Sequence, residues 1–345
     1  MGLNIKDIIS KKEIEIPSLK GKIVAVDAFN ILYQFLSTIR QYDGTPLMDK
    51  NKNITSHLSG IFYRNIALLS EGIKLIYVFD GKPPELKSKI HKIRGNIKEL
   101  YKEKYKIAKQ KQDFYAMKTY SSQMVRLSNE MIKESKELLE AMGIAVVQAP
   151  GEGEAQAAHM AKQKRVYASV SQDYDSLLFG APILIRNLAL ARKKKTFSGF
   201  IEVKPEIIEL KKILKELEIN LEQLICIGIL VGTDYNPKGI PGIGQKKALA
   251  LVKKYKTKEK IFQAIQEKIN ELDEEDKFNA KQIYKLFEKP NVKDINIKFP
   301  EINFEKIKEI LIKKHNFSEE RVEKQINKLK KIQEDKKQSG LDKWF

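Results

Sequence analysis

The chain has 345 residues, enough for a large buried core in one big domain or two ordinary ones, and its 42% hydrophobic content excludes a disordered protein. Lys and Arg outnumber Asp and Glu by 64 to 45, and the formal net charge of +19 creates a field that attracts polyanions, which makes nucleic acid the first partner to expect. A Lys-rich, heat-adapted surface would give the same balance, so the motifs must decide.

No apolar stretch approaches the length that spans a bilayer, and the start Met1-Gly2-Leu3-Asn4-Ile5-Lys6 has no signal-peptide core, so residence inside the cell and away from membranes is expected. Gly2 would suit myristoylation, but Lys6 stands where that signal needs Ser or Thr. The single cysteine, Cys226, lies in an apolar run and reads as core. The histidines His57, His91, His159 and His315 lack zinc spacing.

In chain order, a Val-rich run at 22–27 predicts a strand and 28–37 a helix; 55–70 is again helical and 73–80 a second strand. Residues 83–121 then turn strongly basic, with Tyr101, Tyr105, Phe114, Tyr115 and Tyr120 interleaved among lysines, too polar for core. A solvated helical pair would look the same, but a position directly after a strand end is where sites are built. Helix 122–142, strand 144–148, helix 154–164 and strand 166–171 follow, giving a mainly parallel α/β sheet with helices on both faces.

Runs 183–190 and 197–203 read as a hairpin at a sheet edge, joined through Arg192-Lys193-Lys194-Lys195 as a solvated tip or a phosphate contact. From Pro205 onward the pattern is all helical. An apolar helix at 221–231 precedes Gly239-Ile240-Pro241-Gly242-Ile243-Gly244-Gln245-Lys246-Lys247-Ala248, a glycine turn opening a helix with lysines in its first turn. Lysines oppose the helix dipole there unless a phosphate lies between them and the free N–H groups, as in a helix-hairpin-helix grip on one DNA backbone.

The acids carry the chemistry. Asp27 closes the first predicted strand, Asp80 the second, Glu152 and Glu154 follow the third, and Asp173 and Asp175 the fourth. Each alone reads as a helix cap or turn acid, but strand ends of a parallel sheet share one edge, and six acids there would repel unless divalent cations lay between them. Asp234, in Gly232-Thr233-Asp234-Tyr235, could join the set. Hard oxygen donors without His or Cys select Mg²⁺, with Mn²⁺ as substitute, and a pair of such ions is the standard device for phosphodiester hydrolysis.

The strings Val26-Asp27-Ala28, Tyr77-Val78-Phe79-Asp80-Gly81-Lys82-Pro83-Pro84, Ala149-Pro150-Gly151-Glu152-Gly153-Glu154-Ala155-Gln156-Ala157, Ser171-Gln172-Asp173-Tyr174-Asp175 and Gly232-Thr233-Asp234-Tyr235, in this order, resemble the flap endonuclease family over the whole chain. The resemblance implies a single nuclease domain over 1–330. Within it would lie an N-terminal nuclease segment (1–82), a helical arch (83–121), an internal nuclease segment (122–204) and a helical DNA-binding region (205–330), with a flexible tail (331–345) beyond. It also implies a monomer that cuts branched DNA bearing a 5′ flap, in replication (Okazaki fragment processing) and repair, with 5′–3′ exonuclease activity.

By the same resemblance Asp80, Glu152, Glu154 and Asp173 would ligate one ion, and Glu154, Asp173 and Asp175 the second, with Asp27 and Asp234 helping through waters. Lys87 and Arg94 match positions that contact the scissile phosphate, and Tyr33 matches a tyrosine that stacks on a base, although its spacing alone would read as core. Arg40 and Arg64 match further DNA-contacting positions. Gly242, Gly244, Lys246 and Lys247 would hold duplex backbone, and whether a monovalent K⁺ sits in that turn is open. Gln338, Leu341, Trp344 and Phe345 match the peptide that binds the sliding clamp, proliferating cell nuclear antigen; a tail folding back on its own domain is the other reading.

Two departures stand out. Where eukaryotic members carry an acidic run, this chain has Asn51-Lys52-Asn53, which leaves 3′-flap handling open, and no basic tail follows the clamp motif. Both lead to the expectation of an archaeal form with cytoplasmic, nucleoid-associated residence. A gap- or bubble-specific nuclease and a non-catalytic clamp-associated DNA-binding subunit are the alternatives.

Overall fold

The computed structural model describes residues 3–82, 86–189, 193–196 and 199–341; of 88–97, 114, 118, 193–196, 199–201 and 336–341 it describes the backbone alone. The strands are β1 (Lys12–Glu13), β2 (Ile23–Asp27), β3 (Lys74–Phe79), β4 (Ala145–Gln148), β5 (Ala168–Val170), β6 (Ile183–Arg186), β7 (Lys193–Thr196), β8 (Gly199–Glu202) and β9 (Glu206–Glu209). Seven of them form one sheet in the order β1-β9-β6-β5-β2-β3-β4. From β6 to β4 every neighbouring pair is parallel, while β9 and β1 run antiparallel at the edge.

The alternation of side chains in β2 and β3 sorts two cores. Val24, Val26, Leu75, Tyr77 and Phe79 face one side, and Ala25, Ile76 and Val78 the other. The first side is covered by α1 (Ala28–Thr38), α2 (Ser56–Ser70), α5 (Asn129–Ala141), α13 (Phe304–Lys308) with its π-helical continuation Glu309–Lys314, and α14 (Glu319–Leu341). Against the second lies α6 (Gly153–Lys162), through Ala157, Met160 and Ala161. A third core joins Leu3, Ile5 and Ile9 to the helices α7 (Asp175–Leu178), α8 (Leu210–Leu217), α9 (Leu221–Val231), α10 (Gln245–Tyr255), α11 (Lys258–Asn270) and α12 (Ala280–Glu288).

Between β3 and α5 the basic insertion forms α3 (Lys87–Gln110) and α4 (Phe114–Gln123), which pack together through buried Ala108 and Met117 and the rings of Tyr101 and Tyr120, 5.9 Å apart. The Ser121 hydroxyl donates to Gly44 O at 2.8 Å, tying α4 to the loop after α1.

Four expectations change. The helix expected over 122–142 is two, because the Ser128 hydroxyl accepts the Met131 N–H and starts α5 there. The runs 183–190 and 197–203 do not pair: β6 is apolar enough to lie inside the main sheet between β5 and β9, and the hairpin is β7 with β8, which places Lys193, Lys194 and Lys195 in a strand and not in its turn. Residues after Pro205 are not all helical, since β9 precedes α8. The backbone of 331–341, expected as flexible tail, continues α14 as helix. Trp344, Phe345 and the side chains of Gln338 and Leu341 lie outside the described residues. No helix among the described residues is long and apolar enough to cross a membrane.

Away from the strand ends, a buried polar cluster locks the loop before α2. His315 meets Asp49 Oδ2 at its Nδ1 and Glu134 Oε1 at its Nε2, each at 3.0 Å, and Lys314 pairs with the same Glu134. His57 lies fully buried beside them, 4.0 Å from Glu134 Oε2, with no hydrogen bond to either ring nitrogen among the described residues. Burial pushes its pKa from 6.5 down to about 4, with Glu134 opposing and His315 assisting. Between those values the unfolded chain binds a proton that the folded chain refuses, so stability falls as pH drops through that window, by about 3 kcal/mol in total. We predict that His57→Leu flattens the acid limb of stability between pH 7 and 4.5 in denaturant melts. An unchanged slope would assign that sensitivity to other groups.

Candidate active site

The turns after β2, β3, β4 and β5 lie along one edge of the sheet, and each brings carboxylates to the same pocket. Asp27 ends β2 and caps α1, accepting the Asn30 N–H at 3.1 Å. Asp80 follows β3 and accepts the Gly153 N–H at 2.6 Å, so it sits on the N-terminus of α6, whose capping position is Glu152 and whose first turn holds Glu154. That contact is close: a Cβ on Gly153 would meet Asp80 Oδ1 at 2.8 Å, and one on Gly81 would meet Ala149 O at 2.2 Å. Gly81 N also donates to Gly151 O at 2.7 Å, joining the β3 and β4 ends.

The loop after β5 is held on several sides. Ser171 donates to Glu154 Oε1 at 2.6 Å and takes the Asp173 N–H at 3.2 Å. Arg186 Nε donates to Gln172 O at 2.9 Å while its guanidinium stacks on Tyr174 and pairs with Glu206. Asn30 donates from Nδ2 to Asp173 Oδ2 at 2.9 Å and accepts Gln172 N at 3.0 Å. Asp234 reaches the pocket from the end of α9, and the neighbouring Tyr235 hydroxyl donates to Glu152 Oε2.

Crowding shows in the protonation. Asp27, Glu154 and Asp175 are driven well above the usual carboxylate range, first by burial and then by each other's charge and that of Asp80, Asp173 and Asp234. Burial raises Asp80 to about 6, with the Gly153 N–H and Lys87 opposing and Glu152 and Asp234 assisting. Lys87, the first residue of α3, enters the pocket, where its ammonium pairs with Glu152 Oε1 and lies 3.6 Å from Asp234 Oδ2. Burial works against that charge, but Glu152, Asp234 and Asp80 outweigh it and hold the proton on.

The donor set fits hard divalent cations. All seven acids offer oxygen, and Asp175 Oδ1 is buried with no hydrogen-bond partner among the described residues. No three of these groups form a ready coordination shell among the described residues.

The other expected contacts are spread around this edge. Tyr33, on α1 six residues past Asp27, is 39% exposed under the Lys98 ammonium, and so is not core. Arg40 is half-buried and donates to Ser37 O and Gly44 O at 3.1 and 2.8 Å, so two of its nitrogens shape the loop. Arg64 is half-buried on α2. The Arg94 side chain lies outside the described residues, its backbone two turns along α3 from Lys87. Gly242 turns with φ +76°, Gly244 precedes α10, and Lys246 and Lys247 are exposed in a first turn without acids. Lys247 Nζ donates to the Gly242 carbonyl at 3.0 Å, so that oxygen already faces a cationic group.

Residues 2–100 match the model of the XPG N-terminal domain and residues 143–234 that of the XPG I-region. Flap endonuclease 1 of Thermococcus onnurineus is 49% identical over 347 residues, covering 100% of this chain and 99% of the relative. The chain belongs to the flap endonuclease family. Flap endonuclease 1 of Pyrococcus furiosus is likewise 49% identical, over 348 residues covering 100% and 99%. The solved flap endonuclease-1 from Methanococcus jannaschii is 40% identical with a TM-score of 0.75, covering 97% of this chain and 100% of that one. The catalytic core of Rad2 in complex with DNA substrate, 22% identical with a TM-score of 0.68 over 95% and 100%, shares the fold.

Within this flap endonuclease fold, sequence reasoning passed over Asn30, Ser171, Arg186 and the Tyr235 hydroxyl. Ser171 and Tyr235 stood inside quoted strings with no role given them, and Asn30 lies three residues beyond Asp27 on the same helix start, but no local pattern named the partner of any of them. The glycines beside the acids were legible as members of motifs but not as close approaches. We predict that Gly81→Ala lowers stability by about 1–3 kcal/mol in denaturant melts, because its Cβ has no room against backbone oxygens. Lys82→Ala, exposed next door, should stay within about 0.5 kcal/mol; equal effects would refute the crowding argument.

Proposed function

We propose that this chain is a structure-specific 5′ flap endonuclease that hydrolyses one phosphodiester near the junction of a 5′ flap and downstream duplex, leaving a 5′ phosphate and a 3′ hydroxyl. Its setting would be Okazaki fragment processing and repair, with 5′–3′ exonuclease activity in addition. The observation that carries this reading is the convergence of seven carboxylates on one sheet edge at the foot of a basic helical pair, with Lys87 reaching into them. One copy of the chain supplies all seven, so the site needs no second subunit to complete it, and we expect the nuclease to act as a monomer.

Asp80, Glu152, Glu154 and Asp173 would hold one Mg²⁺, and Glu154, Asp173 and Asp175 the other, with Asp27 and Asp234 contributing through water and Mn²⁺ able to substitute. When bound, such ions lower the pKa of the attacking water and offset charge on the leaving oxygen. The chain's own groups do the rest. Lys87 and Arg94 neutralise charge gathering on the scissile phosphate, and Tyr33 offers an exposed ring on which a base can stack.

Arg64 and the remaining nitrogen of Arg40 meet the DNA backbone. The α10 N-terminus, with Gly242, Gly244, Lys246 and Lys247, grips duplex phosphate without reading sequence. The Lys247 ammonium at the Gly242 carbonyl would have to be displaced for a K⁺ to bind there. The tail residues Gln338, Leu341, Trp344 and Phe345 dock in a pocket of the sliding clamp. The clamp should therefore retain the full chain and release a 1–337 truncation in a pull-down; equal retention would end that assignment.

Cleavage of flap, gapped and bubble DNAs in Mg²⁺ tests the reading. We expect preferential cutting of flaps, abolished by Asp80→Ala or Asp173→Ala with flap binding largely kept. Lys87→Ala should lower kcat far more than it raises KM. Full activity of either aspartate variant at saturating Mg²⁺ would refute the site, and preference for gaps or bubbles would redirect the substrate.

A further inference from the structure

We propose that Asn30 is a positioning residue of the acid pocket, setting Asp173 against Asp27 so that the two can serve the same cations; this rests on the nuclease reading above. Asn30 lies half-buried in the first turn of α1. Three contacts meet on it: its backbone N–H goes to Asp27 Oδ1 at 3.1 Å, its Nδ2 to Asp173 Oδ2 at 2.9 Å, and its Oδ1 takes the Gln172 N–H at 3.0 Å. One residue therefore joins the ends of β2 and β5, neighbouring strands of the sheet.

The residue type follows from the pattern of donors. The group facing Gln172 N must accept and the group facing Asp173 must donate, and a planar amide does both from one side chain, which also fixes which way the amide is turned. Aspartate at this position would set a carboxylate against Asp173 at hydrogen-bond range. Lysine would bring a second ammonium into a pocket that already holds Lys87. A neutral donor instead steadies one Asp173 oxygen without taking a cation's place. Arg186 and Ser171 hold the same loop at Gln172 O and Asp173 N, so the loop's height on the sheet is set by others while Asn30 sets the carboxylate's direction.

The test uses the full chain with Asn30→Ala and the isosteric Asn30→Asp. Mn²⁺ binding without DNA is followed by electron paramagnetic resonance of the free ion, flap cleavage by steady-state kinetics, and folding by thermal melts. We expect both variants to shift the Mn²⁺ midpoint upward and lower kcat by ~10- to 100-fold, the usual range for groups that orient a metal ligand, with KM for the flap within about twofold and melting nearly unchanged. The shape-preserving aspartate should do no better than alanine, since it keeps the acceptor but reverses the donor.

Wild-type cleavage together with variants within about threefold of wild type in midpoint and kcat would overturn the proposal. So would an Asn30→Asp variant restored to wild-type values, or a loss of activity that follows melting temperature or KM while the Mn²⁺ midpoint stays put. Wild-type protein that neither cuts flap DNA nor binds Mn²⁺ would remove the nuclease reading itself, a pattern distinct from these.

Discussion

Like charges pressed together out of water are the constraint to which the rest of this molecule answers. At an effective dielectric of 20, two carboxylates about 4 Å apart repel by about 4 kcal/mol, and a whole domain is stable by only about 5–15 kcal/mol. A pocket with seven acids cannot be fully ionised without relief. The folded chain relieves it by raising Asp27, Asp80, Glu154 and Asp175 toward neutrality, and by drawing Lys87 in from the start of α3.

What resists the remaining repulsion is backbone. Asp27 and Asp80 stand at or just beyond the ends of β2 and β3, whose apolar residues are buried on both faces of the sheet, so moving either carboxylate outward means pulling on Val24, Val26, Ile76 or Val78. Gly81 and Gly153 let the β3, β4 and α6 ends approach to hydrogen-bond distance, where the α6 N-terminus meets Asp80 with an N–H in place of a second charge. The third core gives the same rigidity to Asp234, carried at the end of α9 and steadied by Tyr235 on Glu152.

This division explains what could be read in advance. The parallel strands and the acids at their ends were legible because burial on two faces imposes β-branched runs, the first two of which stop at an acid and the next two of which are followed by a pair of acids within a few residues. Asp80-Gly81 and Glu152-Gly153-Glu154 repeat that logic locally. The antiparallel edge was not legible: Glu206–Glu209 reads as a helix start, and it is a strand because Glu206 finds Arg186 and Lys11 across the sheet. Lys193 to Lys195 read as part of a turn because basic side chains do not reveal that their backbone pairs with β8. Asn30 and Ser171 escaped for another reason. Their work is done through partners 142 and 17 positions away, and no local pattern records such a distance.

Net charge and pocket charge act in opposite directions, and their opposition separates recruitment from chemistry. A surplus of 19 positive charges attracts DNA from a distance. On the proposed reading the scissile phosphate is received by a pocket lined with seven acids, and a phosphate brought there meets repulsion. Lys87 supplies one charge against seven acids and is already paired with Glu152. On the proposed reading a phosphate settles there once further positive charge is added, which Arg94 and hard cations held by the oxygen donors would supply. On that reading binding should tolerate loss of an acid while cleavage should not, because removing a carboxylate would ease the approach of DNA and at the same time remove the means of holding what neutralises its phosphate.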